Sequence, residues 1–284
     1  MGCVQPVPTF QVVFGQPLLC YTNPEVSSSM FGDISLKSGY SSLTQQARRI
    51  GEDWVGRTGY CLRCDSELLT ATAANTKSCD FRCAVCSHGY ELKSKCGAFG
   101  TRVVDGAYGA MINTIRSGMT PTFLLLEYSK SWSISNFTAI HHSLITEESI
   151  IPRKPLSPTA RRAGWVGCNI LLPEIAAAGK INMVRGGKAE PRDSSRAAFR
   201  RFERLAILPV DQRRWAATVL NAIYKVPTSV FHLRELYAFE SHFKTVFPNN
   251  NNIKPKIRQQ LQVLRDAGLL GFLGDGMYEL TSRN

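Results

Sequence analysis

The sequence predicts a mixed α/β (α+β) domain that carries a four-cysteine metal site and is followed by a small winged helix. Three observations predict it. An unbroken apolar run at 122–128 reads as a strand buried on both faces, set among helical stripes and further strand-like segments. Cys61-Leu62-Arg63-Cys64 and Cys83-Ala84-Val85-Cys86 form a C-x2-C…C-x2-C array with 18 residues between the pairs. The C-terminal part holds three helical stripes and a hairpin, the layout of a winged helix.

In order along the chain, residues 1–34 are rich in Pro, Ser, Thr and Gly (Gln5-Pro6-Val7-Pro8, Ser27-Ser28-Ser29) and read as a loosely ordered leader. Residues 35–185 make the first domain. Leu43, Ala47, Ile50 and Trp54 recur at spacings of four, three and four, one face of a helix. A cysteine-rich segment covers 60–97, a helix is expected around 105–116, and 137–140 and 180–184 read as strands. Residues 186–210 are polar and strongly basic and read as a linker with some helical content. In 211–284, Trp215, Val219, Leu220 and Ile223 form one stripe, and Leu233, Leu236, Tyr237 and Phe243 a second. Ile253, Ile257, Leu261 and Leu264 form a third. Runs at 270–273 and 277–280 flank a Gly274-Asp275-Gly276 turn, as a hairpin requires.

The 284 residues are 44% hydrophobic and 20% charged, which excludes a disordered tail, a collagen-like rod and a small disulfide scaffold. Lys and Arg number 34 against 22 Asp and Glu, a net charge of +12 that points to a polyanionic partner, nucleic acid first. Residues 185–284 hold 17 cations and 9 anions, against 17 and 13 in residues 1–184, so the C-terminal part is read as the electrostatic handle. No run approaches the roughly 20 apolar residues of a membrane span. The N-terminus lacks the cationic-then-apolar order of a secretory signal, and Pro6 stands where myristoylation after Met1-Gly2 requires Ser or Thr. Nine cysteines without an export signal point to reduced thiols and metal binding in a soluble, cytoplasmic protein.

Each short cysteine pair lets two thiolates converge on one tetrahedral Zn²⁺, and a closed set of four leaves no position for water, so Cys61, Cys64, Cys83 and Cys86 predict a structural zinc. Cys3, Cys20, Cys79, Cys96 and Cys168 have no partner at ligand spacing. Glu91 and Lys93 are two apart and share one face of a strand, with Leu92 turned to the other. Asp80 precedes the Cys83/Cys86 turn, so folding the hairpin back brings Asp80 beside Glu91. Such a carboxylate pair suits Mg²⁺ through hard oxygen ligands, with Lys93 orienting or deprotonating an attacking water. The D-x10-E-x-K spacing alone is weak, because two carboxylates and a lysine are usually a solvated face. His141 and His142 are isolated in the sequence and read as solvated.

These motifs come together with Ala47-Arg48-Arg49-Ile50, Glu52-Asp53-Trp54-Val55, Asp105-Gly106-Ala107-Tyr108 and the long stretches 149–165 and 256–266. From about Gln45 to about Tyr278 the chain resembles the DpnI family of methyl-directed restriction endonucleases, in the PD-(D/E)XK nuclease superfamily. The resemblance implies a PD-(D/E)XK core with an inserted zinc site over 35–185 and a winged helix over 211–284, each reading the methylated site. It further implies Mg²⁺-dependent cleavage of double-stranded DNA at GATC carrying N6-methyladenine. Asp80 and Glu91 become metal ligands, Lys93 the catalytic lysine and Glu52 an outer ligand. No nucleotide cofactor or membrane partner is implied, and the chain is expected to be monomeric without DNA. It departs from the family in its longer leader and in Cys96, which interrupts a basic stretch.

Arg161 and Arg162 suit phosphates and guanine edges. The resemblance places Trp165 at the methyl-sensing position, whereas the residues alone read it as core. With Ile253, Ile257, Leu261 and Leu264 inward, Arg258, Gln259 and Gln262 face outward and Lys254 stands at the helix entrance, the makings of a recognition helix. Burying one methyl gains about 0.8 kcal/mol, so two methyls read by two domains supply roughly 3 kcal/mol of discrimination. The rival reading is a non-enzymatic methyl-DNA-binding regulator, which has no use for Asp80, Glu91 and Lys93.

Overall fold

A computed structural model of the chain describes residues 30–39, 41–73 and 79–281; most of the expected leader, with Cys3 and Cys20, lies outside them. The first helix, α1 (Leu43–Thr58), buries Ile50 and Trp54 of the predicted stripe and Val55 beside them, while Leu43 at its start is exposed. Strands β1 (Thr70–Ala71), β2 (Phe81–Arg82), β3 (Gly89–Cys96) and β4 (Arg102–Ala107) follow, then helix α2 (Tyr108–Arg116). After these come β5 (Thr122–Tyr128), β6 (Ile134–Ile140), β7 (Ile150–Pro152), β8 (Gly167–Leu171), β9 (Lys180–Arg185) and β10 (Lys188–Ala189). The helix expected from residue 105 begins at Tyr108. Residues 102–107 are instead strand: Val103-Val104 favour extended backbone, Gly106 disfavours helix, and the segment pairs with β8.

A seven-stranded sheet runs β1-β2-β3-β5-β6-β9-β10, with β3 and β5 parallel and the other neighbours antiparallel. A second, three-stranded sheet is β4-β8-β7. Within β5, residues 123–126 are continuously apolar because both faces of the strand are covered there. Leu124 and Leu126 join a core with α1, Tyr90, Phe137 and Met183; Phe123 and Leu125 join another with α2, Val103 and Ile170.

The basic linker expected at 186–210 is not one. Its residues supply β10, helix α3 (Arg192–Arg200) and helix α4 (Glu203–Ala206), with Phe199, Phe202 and Leu205 buried in the two cores. Beyond it stand α5 (Val210–Lys225), β11 (Val230–His232), α6 (Leu233–Tyr237), α7 (Glu240–Val246), α8 (Ile253–Asp266), β12 (Leu270–Gly274) and β13 (Met277–Leu280). The second predicted stripe is thus two short helices, α6 capped by a box between His232 and Glu235, and a third strand completes the small sheet β11-β13-β12. The turn between β12 and β13 holds Gly274, Asp275 and Gly276 at φ of 93°, 47° and 77°, a left-handed run that glycine tolerates on either side. No helix among the described residues is long and apolar enough to cross a membrane.

Candidate active site and metal centre

The four cysteines converge as predicted. Cys83 and Cys86 lie in the turn between β2 and β3, which is closed by the Cys83 N–H donating to the His88 carbonyl at 3.0 Å and the Ser87 N–H donating to that of Cys83 at 2.9 Å. Cys61 and Cys64 come from the loop after α1. The sulfur pairs Cys61–Cys86 and Cys64–Cys83 are 3.6 and 3.5 Å apart, and all four lie within 4.8 Å of one another. A tetrahedron with 2.3 Å Zn–S bonds has edges of about 3.8 Å, so the spacing suits zinc without rearrangement. The Tyr90 hydroxyl anchors the first loop by accepting from Leu62 N–H at 3.0 Å, and lies 3.2 Å from the Cys61 sulfur.

The loop is also clamped from outside. Arg192, Arg196 and Arg200 repeat every fourth residue along α3 and face it. Buried Arg196 donates to the carbonyls of Cys61 and Ser66, both at 3.1 Å, and to Glu67 at 2.9 Å. Arg192 pairs with Glu67 as well, both guanidiniums lie against the Tyr60 ring, and Arg200 reaches Asp65 at 2.6 Å. Three of the 17 cations assigned to an electrostatic handle therefore brace the metal centre.

On the other side of the same turn, the antiparallel register Phe81↔Tyr90 sets Asp80 beside Glu91. The Asp80 N–H donates to the Tyr90 carbonyl at 2.9 Å, and its carboxylate accepts from the Leu92 N–H at 2.8 Å. Glu91 and Lys93 share one face of β3, with Lys93 Nζ 2.6 Å from Glu91 Oε1. Asp80, Glu91, Lys93 and Glu52 all line one cleft of about 810 Å³. Glu52 enters it from α1, paired with Arg48 at 2.6 Å.

Asp105, which was not singled out as a site residue, completes the arrangement. It sits on β4 and accepts from Lys93 Nζ at 2.5 Å with its own side chain only 6% exposed. The signal was present, since Asp105 opens a segment shared with the family, but a helix was expected there. Burial pushes the Glu91 carboxyl up to about 7; Lys93 pulls it down, while the Asp105 charge adds to the rise. Burial also disfavours the Lys93 ammonium, but Glu91 and Asp105 together outweigh it and hold it above the usual lysine range. Lys93 is held by Glu91 and Asp105, and the cleft sets the carboxylates of Asp80, Glu91 and Glu52, which suit a hard divalent cation, among Arg48, Arg49, Lys95 and Arg102, which suit a phosphate.

The expected DNA contacts fall in two places. Arg161 and Arg162 are exposed in the turn region before β8, and Trp165 is half-buried rather than core, with the Arg162 guanidinium 5.0 Å above its ring. In α8, Lys254, Arg258, Gln259 and Gln262 are exposed while Ile253, Ile257, Leu261 and Leu264 are buried. Arg258 donates to the Tyr237 hydroxyl at 2.8 Å, and Lys254 is 3.5 Å from Glu240. His141 and His142, read as solvated, are instead packed inside. Their rings stack 4.4 Å apart against His88 and Phe199, and His141 is fully buried.

Two family matches cover nearly all the described chain: the DpnI model of the Dam-replacing family over residues 29–206, and the Dam-replacing HTH domain over residues 211–280. The first match ends at the last residue of α4, so the segment expected as a linker lies within the first unit. A mixed α/β unit with a close four-cysteine cluster, joined to a helix-turn-helix unit, belongs to the Dam-replacing DpnI family.

Proposed function

We propose that this chain is a site-specific, methylation-dependent endonuclease of the PD-(D/E)XK type, cutting double-stranded DNA at GATC when the adenine carries an N6-methyl group. Family membership implies methylation-dependent DNA cutting. The finer reading is supported by one observation above others: Asp80, Glu91 and Lys93 line a single cleft, with Glu52 beside them.

Asp80 and Glu91 are the residues that would hold Mg²⁺, which when bound supplies Lewis-acid polarisation of the phosphate and a more acidic water. Lys93, held between Glu91 and Asp105, donates hydrogen bonds toward the attacked phosphate and its water. Cys61, Cys64, Cys83 and Cys86 hold a structural zinc that fixes the turn from which Asp80 and Glu91 extend. Arg161 and Arg162 contact the backbone, Trp165 packs against the methyl groups, and Lys254, Arg258, Gln259 and Gln262 on α8 read the major groove. The protein acts in the cytoplasm as a monomer until DNA is bound, with no nucleotide cofactor.

Incubation of methylated and unmethylated plasmid with Mg²⁺ tests the reading. Cutting confined to methylated plasmid is expected, and Glu91→Gln should abolish it while duplex binding persists. A wild-type protein that binds methylated duplex but never cuts it would establish the regulator instead.

A further inference from the structure

The face of the seven-stranded sheet that carries the catalytic residues continues well past Lys93. Glu91 pairs with Phe123, Phe123 with Ile140 and Ile140 with Lys180. Paired residues share a face, so Lys180 stands in the same transverse row as Glu91, three strands away, roughly 14 Å at about 4.8 Å per strand. Thr138 and Asn182 pair with one another in a neighbouring row of that face. Lys180, Asn182, Thr138 and Arg185 help line a second pocket of about 370 Å³. Phe99 walls both this pocket and the 810 Å³ cleft.

The charges of this pocket are unevenly matched. Arg185 pairs with Glu190 at 3.0 Å. Glu127 accepts from the Phe99 N–H and from Asn136, both at 2.7 Å. The Thr138 hydroxyl donates to Asn182 Oδ1 at 3.0 Å, leaving the Asn182 amide nitrogen without a protein acceptor among the described residues. Lys180 is half-buried, and no carboxylate pairs with it among the described residues. Burial holds its ammonium below the usual lysine range. A cation withdrawn from water with no counter-ion costs the fold free energy, and that cost is relieved when an anion enters.

We propose that Lys180 and Asn182 form a second phosphate seat for the DNA substrate, gripping a backbone phosphate away from the one attacked beside Glu91 and Lys93. Phe123 and Ile140 between the two are fully buried, so the DNA strand runs outside this row, past the Phe99 wall that the cleft and the pocket share. The inference rests on the nuclease reading above and adds a contact that fixes the strand as it leaves the cleft. Because the contact is to the backbone, it carries no sequence information.

The test measures duplex affinity of the full chain in Ca²⁺ across 50–200 mM salt, for wild type, Lys180→Gln and Lys180→Arg, on methylated and unmethylated duplexes. One phosphate contact contributes about 0.9 to the log–log salt slope, equivalent to roughly fivefold in affinity near 0.15 M. Lys180→Gln should lose both by these amounts on both duplexes, Lys180→Arg should retain them, and the thermal midpoint of Lys180→Gln should hold or rise. A lowered midpoint with an unchanged slope makes Lys180 structural and overturns the proposal. A midpoint raised by millimolar inorganic phosphate in wild type alone, again with an unchanged slope, makes the pocket a small-anion site and also overturns it. A wild-type protein that binds neither duplex refutes the nuclease reading itself, and this seat with it.

Discussion

Asp105 offers the clearest single-residue test. It touches Lys93 from behind the cleft, as an outer partner orients an active group. Asp105→Asn keeps the shape and removes the charge, and a roughly 10–100-fold loss of cleavage is expected with little change in duplex affinity. Full activity in that variant would show that Glu91 alone positions Lys93. The Asp80, Glu91 and Lys93 cluster was legible because a two-residue period and a hairpin turn suffice to bring three such residues together. Asp105 was not, because contact across two sheets leaves no periodic trace in a sequence. Trp165 shows the reverse: residue type alone favours the interior, yet a turn region ending at Gly167 leaves the indole half-exposed. A Cβ on Gly167 would come within 2.9 Å of the Trp165 ring. Gly167→Ala should therefore reorient the indole and weaken discrimination for methylated DNA, as relative cleavage of the two plasmids would report.

Among the elements, α3 joins the metal centre to the rest of the fold. Charge counting assigned its arginines to DNA, whereas position along the helix assigns them to the loop at 61–67. Removing Arg196 takes the side-chain donor from the buried Cys61 carbonyl, while the Ser66 carbonyl keeps the Cys61 N–H, and Arg196→Ala should cost on the order of 1–3 kcal/mol in a denaturant titration. An unchanged midpoint would mean that zinc alone holds the loop. Metal analysis should find one zinc per chain, and stripping it with a strong chelator should lower the thermal midpoint and abolish cleavage even with Mg²⁺ restored. The C-terminal stripes were legible because each helix there has one buried face. The short sheet strand at 230–232 and the break between α6 and α7 were not, since three residues are too few to show a period.

At the scale of the molecule, the two family matches do not correspond to two cores. Helix α5 buries Trp215, Val219, Leu220 and Ile223 in the same cluster as α2, β8 and Phe202. Arg214 donates from α5 to Glu148 at 2.8 Å, and Lys225 reaches Glu174 at 3.4 Å. One cooperative unfolding transition is therefore expected. A fragment ending at residue 184 would lack Phe199, Phe202 and Leu205, so the sharing of methyl discrimination between the units is better measured with Trp165 and Gln259 variants of the full chain. The buried histidines add a pH dependence. Burial, with His141 alongside, pushes His142 down to about 2, and burial likewise holds His141 well below the usual range. Below about pH 6.5 the unfolded chain takes up protons that these folded residues refuse, so stability falls with pH by about 1.4 kcal/mol per histidine per unit. Glu91, raised to about 7, acts in the opposite sense between pH 4.5 and 7, so the comparison is with His142→Phe. Melting at pH 7.5 and 5.5 should show a shallower acid loss in that variant, and an identical loss would place His142 in contact with water.

The short pairing of β2 with β3 has a consequence for how this protein can diverge. Between Asp80 and Glu91 the letters can vary, provided the cysteines and the buried Phe81 and Tyr90 stay, but the number of letters is fixed. One residue added or removed on the rising part of β3 exchanges inside for outside along the strand, turning Glu91 and Lys93 away from Asp80. Drift by substitution is open to this turn, and drift by insertion is closed.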